Sequence, residues 1–270
     1  MDFGTWQENR TGIKTKMIPG AMLKFDLKDG FPAVTTKKLA FRSVVGELLG
    51  FLRGYTNAKD FEGLGCKIWN QNANENKAWL SNPERLGDGD LGYIYSRLWR
   101  NMPTEQGYDW DQIEELIQNI NQNPTSRRLI VNAWHPEVFD RAALPPCHYS
   151  FQIIIEQETK VMHLLWSQRS VDAGLGLPFN IASYAILLSL LARVTGYYVG
   201  TLTGFLADCH IYENHLDQVK EQLTRKPLSL PKLIISDNIE VNTPLDLINP
   251  EDIYLEDYLS HSAIKSPMAV

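Results

Sequence analysis

The sequence predicts an α+β fold, one sizeable β-sheet packed by helices within a single domain spanning 1–270. Three observations lead there. Apolar residues recur at helical spacing in two separated segments, 39–54 and 109–122. Three strand-like runs, RRLIVNAWH, HYSFQIIIEQ and KVMHLLWSQRS, follow one another from residue 127. No repeat, low-complexity tract or linker interrupts the 270 residues, a length that one large domain accommodates.

In chain order, residues 14–36 alternate loosely and carry Pro19, Gly20, Gly30 and Pro32, which predicts short strands and turns. From Leu39 to Gly54, apolar side chains at 41, 44, 45, 48, 49 and 52 predict a helix with one buried face, closed by Gly54. Asn, Gly and Asp clusters over 70–93 predict a long surface loop. DWDQIEELIQNINQ is an amphipathic helix ended by Asn123-Pro124. The three strands follow, then a long helix from about Phe179. Its apolar run IASYAILLSLLARV is too short for a bilayer and is closed by an arginine, as expected of a buried helix. A strand near 198–207 and a last amphipathic helix within HIYENHLDQVKEQL complete the series.

A net charge of −6 and a pI near 5.6 supply no basic face for DNA or RNA. An anionic small molecule remains compatible if a few arginines converge. The start, MDFGTWQENRTG, has no apolar signal region, so a cytoplasmic protein is expected. Cysteines 66, 147 and 209 are odd in number and share no CxxC pair, which argues against a disulfide framework and a zinc site. His210 and His215 are five apart, not the four of a helical metal pair, and no metal is expected.

Cys147 follows Pro145-Pro146 and precedes the alternating Tyr149, Phe151, Ile153 and Ile155. It therefore falls at a stiff loop-to-strand junction. A reactive thiol suits that place, and so does a small buried residue. His148 is adjacent but points to the opposite face of a strand. Arg10, Arg127, Arg128 and Arg169 stand at turns or strand ends, where their forks suit phosphate or a neighbouring thiol, or simply solvent. Asn180 enters an apolar helix and fits either a pyrimidine-edge reader or a helix cap. Glu47 lies beside Leu48 and Leu49, either buried with a function or at the helix edge.

The motifs NRTG at 9–12, DGFPAVTTKK at 29–38, GELL at 46–49, KIW at 67–69, SRRLIV at 126–131, LPPCH at 144–148 and QRS at 168–170 occur in one order. GLGLPFNIASYA from Gly174, DCHIYENH from Asp208 and a terminal IKSPMAV continue it. Together they resemble the thymidylate synthase family over almost the whole chain. The resemblance implies a large mixed sheet flanked by helices, dimerising sheet against sheet. It implies that Cys147 adds to C6 of dUMP, and that 5,10-methylenetetrahydrofolate supplies the carbon and the hydride. Glu47, through water, would move protons in a network with Tyr95 and His148. Arg169 would keep the thiol ionised. Arg10, Arg169 and Ser170 would hold the phosphate, with Arg127 and Arg128 from the other subunit of the homodimer. Asn180 would read the uracil edge, and His210 with Tyr212 the 3′-hydroxyl. Asp172 would bond the pterin within the shared substrate site. Trp69, Leu175, Gly176, Phe179 and Val270 would line the folate pocket.

The chain departs from the family pattern at Gly50 (usually Trp), Gly92-Tyr93-Ile94-Tyr95-Ser96 (usually G-P-V-Y-G), Ser167 (usually Tyr) and Ala207 (usually Gly). These positions are expected near the site, with bulk added at Tyr93 offsetting bulk lost at Gly50. Deoxynucleotide hydroxymethylases resemble the same family and quench the intermediate with water. Asn180 implies a uracil base, and Trp69, which would shield the intermediate, favours hydride. A non-catalytic RNA-binding relative is disfavoured by the complete set of Cys147, Arg169, Asn180 and Asp172.

Overall fold

The computed structural model describes residues 3–9 and 11–265. Its centre is a six-stranded mixed sheet. The strands are β1 (Thr5–Gln7), β2 (Thr15–Asp26), β5 (Ile130–Asn132), β6 (His148–Glu156), β7 (Val161–Asp172) and β8 (Tyr198–Tyr212), in the order β1-β2-β8-β7-β6-β5. β7 and β8 run parallel, and every other neighbouring pair is antiparallel. Two small antiparallel ladders stand apart: β3 (Met102–Pro103) with β4 (Asp109–Trp110), and β9 (Lys232–Ile235) with β10 (Ile253–Glu256).

Eight α-helices occur among the described residues: α1 (Phe41–Leu52), α2 (Ala58–Gly63), α3 (Asn70–Asn74), α4 (Lys77–Leu80), α5 (Tyr95–Arg100), α6 (Gln112–Gln122), α7 (Gly176–Thr195) and α8 (Leu216–Thr224). α7 lies against the inner face of β7 and β8, and α1 packs on α7 and α5. The core is continuous from Leu48, Leu49 and Phe51 of α1 through Leu187 and Leu191 of α7 to Phe151, Leu164 and Trp166 of the sheet. α6 starts where the Asp111 carboxylate accepts the Glu114 N–H at 3.0 Å. α7 ends at Gly196, whose φ of +76° is the left-handed C-terminal conformation.

Four elements differ from the sequence expectation. Residues 70–93 are not a surface loop: α3 and α4 lie there, and Ala73, Trp79 and Leu91 are buried. One of their asparagines is a helix starter: Asn76 accepts from the backbone N–H of Ala78 at 3.2 Å. β2 is one twelve-residue strand rather than several. Its Pro19 is tolerated because β1 pairs only with Thr15–Met17, leaving an open edge where the proline N–H is missing. α7 is twenty residues, long and apolar enough to cross a bilayer by length and composition, but 67% of its apolar window is buried in the fold. β8 runs on to Tyr212 rather than stopping near 207, which carries the strand through His210 to Tyr212.

The outer face of the sheet is open. Ile18 and Met22 of β2, Phe205 of β8, Ile154 of β6 and Ile130 of β5 are exposed there. Ser167 stands in register with Phe205 and Ser150, and Ala207 is exposed on β8.

Candidate active site

Cys147 is half-buried at the residue before β6. The prolines ahead of it lack N–H groups but keep their carbonyls, and Arg169 of β7 uses both. Its Nε donates to Pro146 O at 2.8 Å and its Nη2 to Pro145 O at 3.1 Å. The Arg169 backbone N–H donates to Cys147 O at 2.8 Å. These bonds hold Nη2 at 3.6 Å from Cys147 Sγ. The Pro-Pro sequence thus stiffens the thiol's approach and anchors the cation beside it. A guanidinium at that distance favours negative charge on sulfur.

The pair opens on a cleft of about 720 Å³ that Ser170, Asp172, His210 and Tyr212 also line. Gln7, Asn9 and Thr11 line it from the N-terminal segment. Arg10, expected at the phosphate, lies outside the described residues, as does Val270 of the expected folate lid. His210 is fixed by its Nδ1, 2.7 Å from Asp208 Oδ1, and its ring meets Tyr212 edge-on at 5.2 Å. Asp172 accepts the Gly174 N–H at 2.7 Å and stands 3.6 Å from His215 Nδ1. Lys37 Nζ donates to the carbonyl of that same Gly174.

Behind the thiol is a buried layer. The Tyr95 hydroxyl accepts the Cys147 N–H at 2.7 Å. The Tyr95 ring stacks on His148 at 3.9 Å with planes 8° apart, and His148 Nδ1 meets the Tyr184 hydroxyl at 2.8 Å. Burial pushes His148 down to about 3, so its imidazole is neutral at physiological pH. Burial is also the largest cause that raises Tyr95 and Tyr184, which keep their protons. Glu47 is not at the helix edge: it is 5% exposed, and its Oε1 accepts the Trp69 indole N–H at 3.0 Å. Burial lifts the Glu47 carboxyl to about 8, against the opposing pull of the Trp69 bond. These direct hydrogen bonds join three pairs, Glu47 with Trp69, Tyr95 with Cys147, and His148 with Tyr184.

The structure therefore brings Cys147, Arg169, Ser170, Asp172, His210 and Tyr212 to one cleft and places Glu47, Tyr95 and His148 in the buried layer. Asn180 is the fifth residue of α7, whose N-cap is Leu175, so it is not the cap. Its Oδ1 accepts from Gln168 Nε2 at 3.0 Å. Leu175, Gly176 and Phe179 are half-buried around the first turn of α7, and Trp69 is buried; none of the four lines this cleft. Arg127 and Arg128 are exposed and outside it. Sequence reasoning missed Gln168, Tyr184, Lys37, Asp208 and His215. Gln168 carried a signal, because it shares the inward parity of Leu164 and Trp166 and is an amide among apolar residues. Tyr184 carried one too, as the lone phenol in an aliphatic helix stretch.

Fold and site together define an α+β protein built around a cysteine thiol that an arginine faces at the edge of a ligand-sized cleft of mixed polar and apolar lining. The family model described as thymidylate synthase matches residues 1–270. The chain belongs to the thymidylate synthase family. The thymidylate synthase of Pseudomonas syringae pv. tomato is 44% identical over 309 aligned positions, covering 99% of this chain and 96% of that protein. The Pseudomonas putida thymidylate synthase is also 44% identical, over 100% of this chain and 97% of its own length. That of Bordetella parapertussis is 41% identical with the same coverage. The first alignment spans 309 positions although this chain has 270 residues, so that relative carries residues that this chain lacks.

Proposed function

We propose that the chain methylates dUMP reductively to dTMP, with 5,10-methylenetetrahydrofolate as co-substrate and no metal, in the cytoplasm. The observation that carries this reading is the Cys147 thiol held 3.6 Å from the Arg169 guanidinium at the wall of the cleft. The thiolate adds to C6 of the uracil and makes C5 a nucleophile. C5 attacks the methylene carbon of the folate. Loss of the C5 proton and of tetrahydrofolate leaves an exocyclic methylene. Hydride from tetrahydrofolate reduces it, Cys147 departs, and dTMP and dihydrofolate are released.

Arg169 and Ser170 hold the phosphate together with Arg10. Asn180, just outside the cleft lining, reads the base through its amide N–H groups, since Gln168 engages its oxygen. His210, oriented by Asp208, and Tyr212 bond the sugar hydroxyl. Glu47, carrying a proton near neutral pH, passes protons through water. Trp69 shields the exocyclic methylene. Asp172 receives the pterin, beside Leu175, Gly176 and Phe179, and Val270 closes the tail. The chain is one catalytic domain working as a homodimer. The open apolar sheet face of Ile18, Met22, Phe205 and Ile154 supports sheet-to-sheet pairing. The exposure of Arg127 and Arg128 suits arginines that serve the partner's phosphate.

The test combines purified protein, dUMP and 5,10-methylenetetrahydrofolate, followed by product mass and dihydrofolate absorbance. dTMP appearing in step with dihydrofolate is expected. A hydroxymethyl product with tetrahydrofolate released, or no turnover of dUMP, would overturn the reading.

A further inference from the structure

Phe61 has no part in the machinery described above. It sits on α2, fully buried, with its ring against the backbone of α1. A Cβ on Gly50 would meet Phe61 ring carbons at 2.3 and 2.5 Å, so the ring occupies the volume that a side chain at position 50 would need. One turn earlier, a Cβ on Gly46 would meet the Leu64 carbonyl oxygen at 2.5 Å and Cys66 Cβ at 3.2 Å. Residues four apart share a helix face. The two glycines therefore open a groove on α1, and the chain from Phe61 to Cys66 lies in it. Glu47 follows Gly46 directly. Three residues past Cys66 comes Trp69, whose ring packs on Phe61 at 6.2 Å and on Phe51 at 6.0 Å while its N–H reaches Glu47. The depth at which this segment seats on α1 sets where the indole meets the carboxyl.

The bulk missing at Gly50 is thus supplied from across the groove by Phe61, and not by Tyr93. The Tyr93 ring lies elsewhere, facing the Arg141 and Arg97 guanidiniums at 4.6 and 5.4 Å.

We propose that Phe61, seated in the Gly46–Gly50 groove, is a positioning residue that holds the Trp69 indole in register with Glu47. The proposal rests on the reading above of Glu47 as proton carrier and Trp69 as shield. Removing the ring lets Trp69 slide toward the groove, and displacements of this kind cost rate without weakening remote contacts to the nucleotide.

The experiment compares full-length wild type, Phe61→Ala, Phe61→Leu and the double variant Gly50→Leu/Phe61→Ala. It reads kcat, KM for dUMP, melting temperature and the product mass with a small thiol present. Phe61→Ala is expected to lower kcat about tenfold, leave KM within about twofold, and raise the share of hydroxymethyl or thiol-trapped product. Phe61→Leu, the smaller deletion, shows the same split more weakly and serves if the alanine variant fails to fold. The double variant, with bulk returned from the α1 side, regains most of kcat and partition. A variant that melts lower yet keeps kcat and partition would make Phe61 a space-filler and overturn the proposal, as would a double variant that regains only its melting temperature. A wild type that makes no dTMP would instead remove the reading on which the proposal stands.

Discussion

Replacing Glu47 by Gln should make the protein more resistant to unfolding in alkali while it loses activity. Glu47 Oε1 accepts from Trp69, and an amide oxygen can keep that bond. The carboxyl normally titrates at 4.5, and burial lifts it to about 8. Between these values the folded state holds a proton that the unfolded chain has released. Stability from this group is therefore greatest below pH 4.5 and is lost as pH rises through 8. Integrating the difference from about pH 5.5 to about pH 8.5 gives a loss of about 3 kcal/mol in wild type that the glutamine variant does not suffer. His148, pushed down to about 3, is neutral in the folded state and titrates only in the unfolded chain, equally in both proteins, so it cancels in the comparison. Urea unfolding at one fixed protein concentration across the window measures the difference. A wild-type-minus-variant curve flat to within about 0.5 kcal/mol would mean that Glu47 ionises like an exposed carboxyl, and would refute the argument. In parallel the variant should lose about a hundredfold or more in kcat, the usual worth of a positioned proton carrier.

Cys147→Ser should lower turnover at least a thousandfold while dUMP still binds, since a hydroxyl is a far poorer nucleophile than a thiolate; turnover within tenfold of wild type would sink the mechanism. Mixing Cys147→Ser chains with Arg127→Ala chains should restore activity, because one site of each heterodimer then collects both defects and the other none. If heterodimers form and stay dead, Arg127 does not act across the interface. Asn180→Asp should erode the preference for dUMP over dCMP by roughly a hundredfold, as an ionised carboxylate repels O4 and accepts from a cytosine amino group. An unchanged preference in a substrate-competition assay would assign Asn180 to holding Gln168 alone.

Periodicity made α1, α6, β6 and β7 legible, because each is long enough to show its period. α6, β6 and β7 bury one face as expected, whereas α1 is buried on every side from Val44 to Leu52, packed between α5, α7 and the segment after α2. Periodicity fails at 70–93, where a helix-starting asparagine looks locally like a loop former: Asn76 caps α4, and the burial of Trp79 is a tertiary fact. Cys147 was legible from its Pro-Pro lead, while the environments of the other two cysteines were not. Cys66 is fully buried and pushed up to about 12 by burial and by Glu47, and Cys209 is raised by burial beside Asp208. What Arg169 does could not be read locally, since its partners are carbonyls 23 and 24 residues away. Gly50 read as lost bulk near the site. Only the packing shows the bulk arriving from Phe61, eleven positions on.

The division of charge across the site follows from the same burial. The layer behind Cys147 contains a histidine, two tyrosines and a glutamate, yet desolvation holds His148 and the phenols neutral and keeps a proton on Glu47 to about pH 8. These groups offer dipoles and transferable protons without placing a fixed charge in the core. The guanidinium of Arg169 stands in front, bonded to proline carbonyls, its cation directed at the sulfur and the cleft. Were His148 cationic, it would compete with Arg169 for the thiolate and bring its own charge into the stack with Tyr95. A neutral rear and a charged front turn the Arg169 cation toward the thiol and the cleft while the buried groups behind it keep their protons.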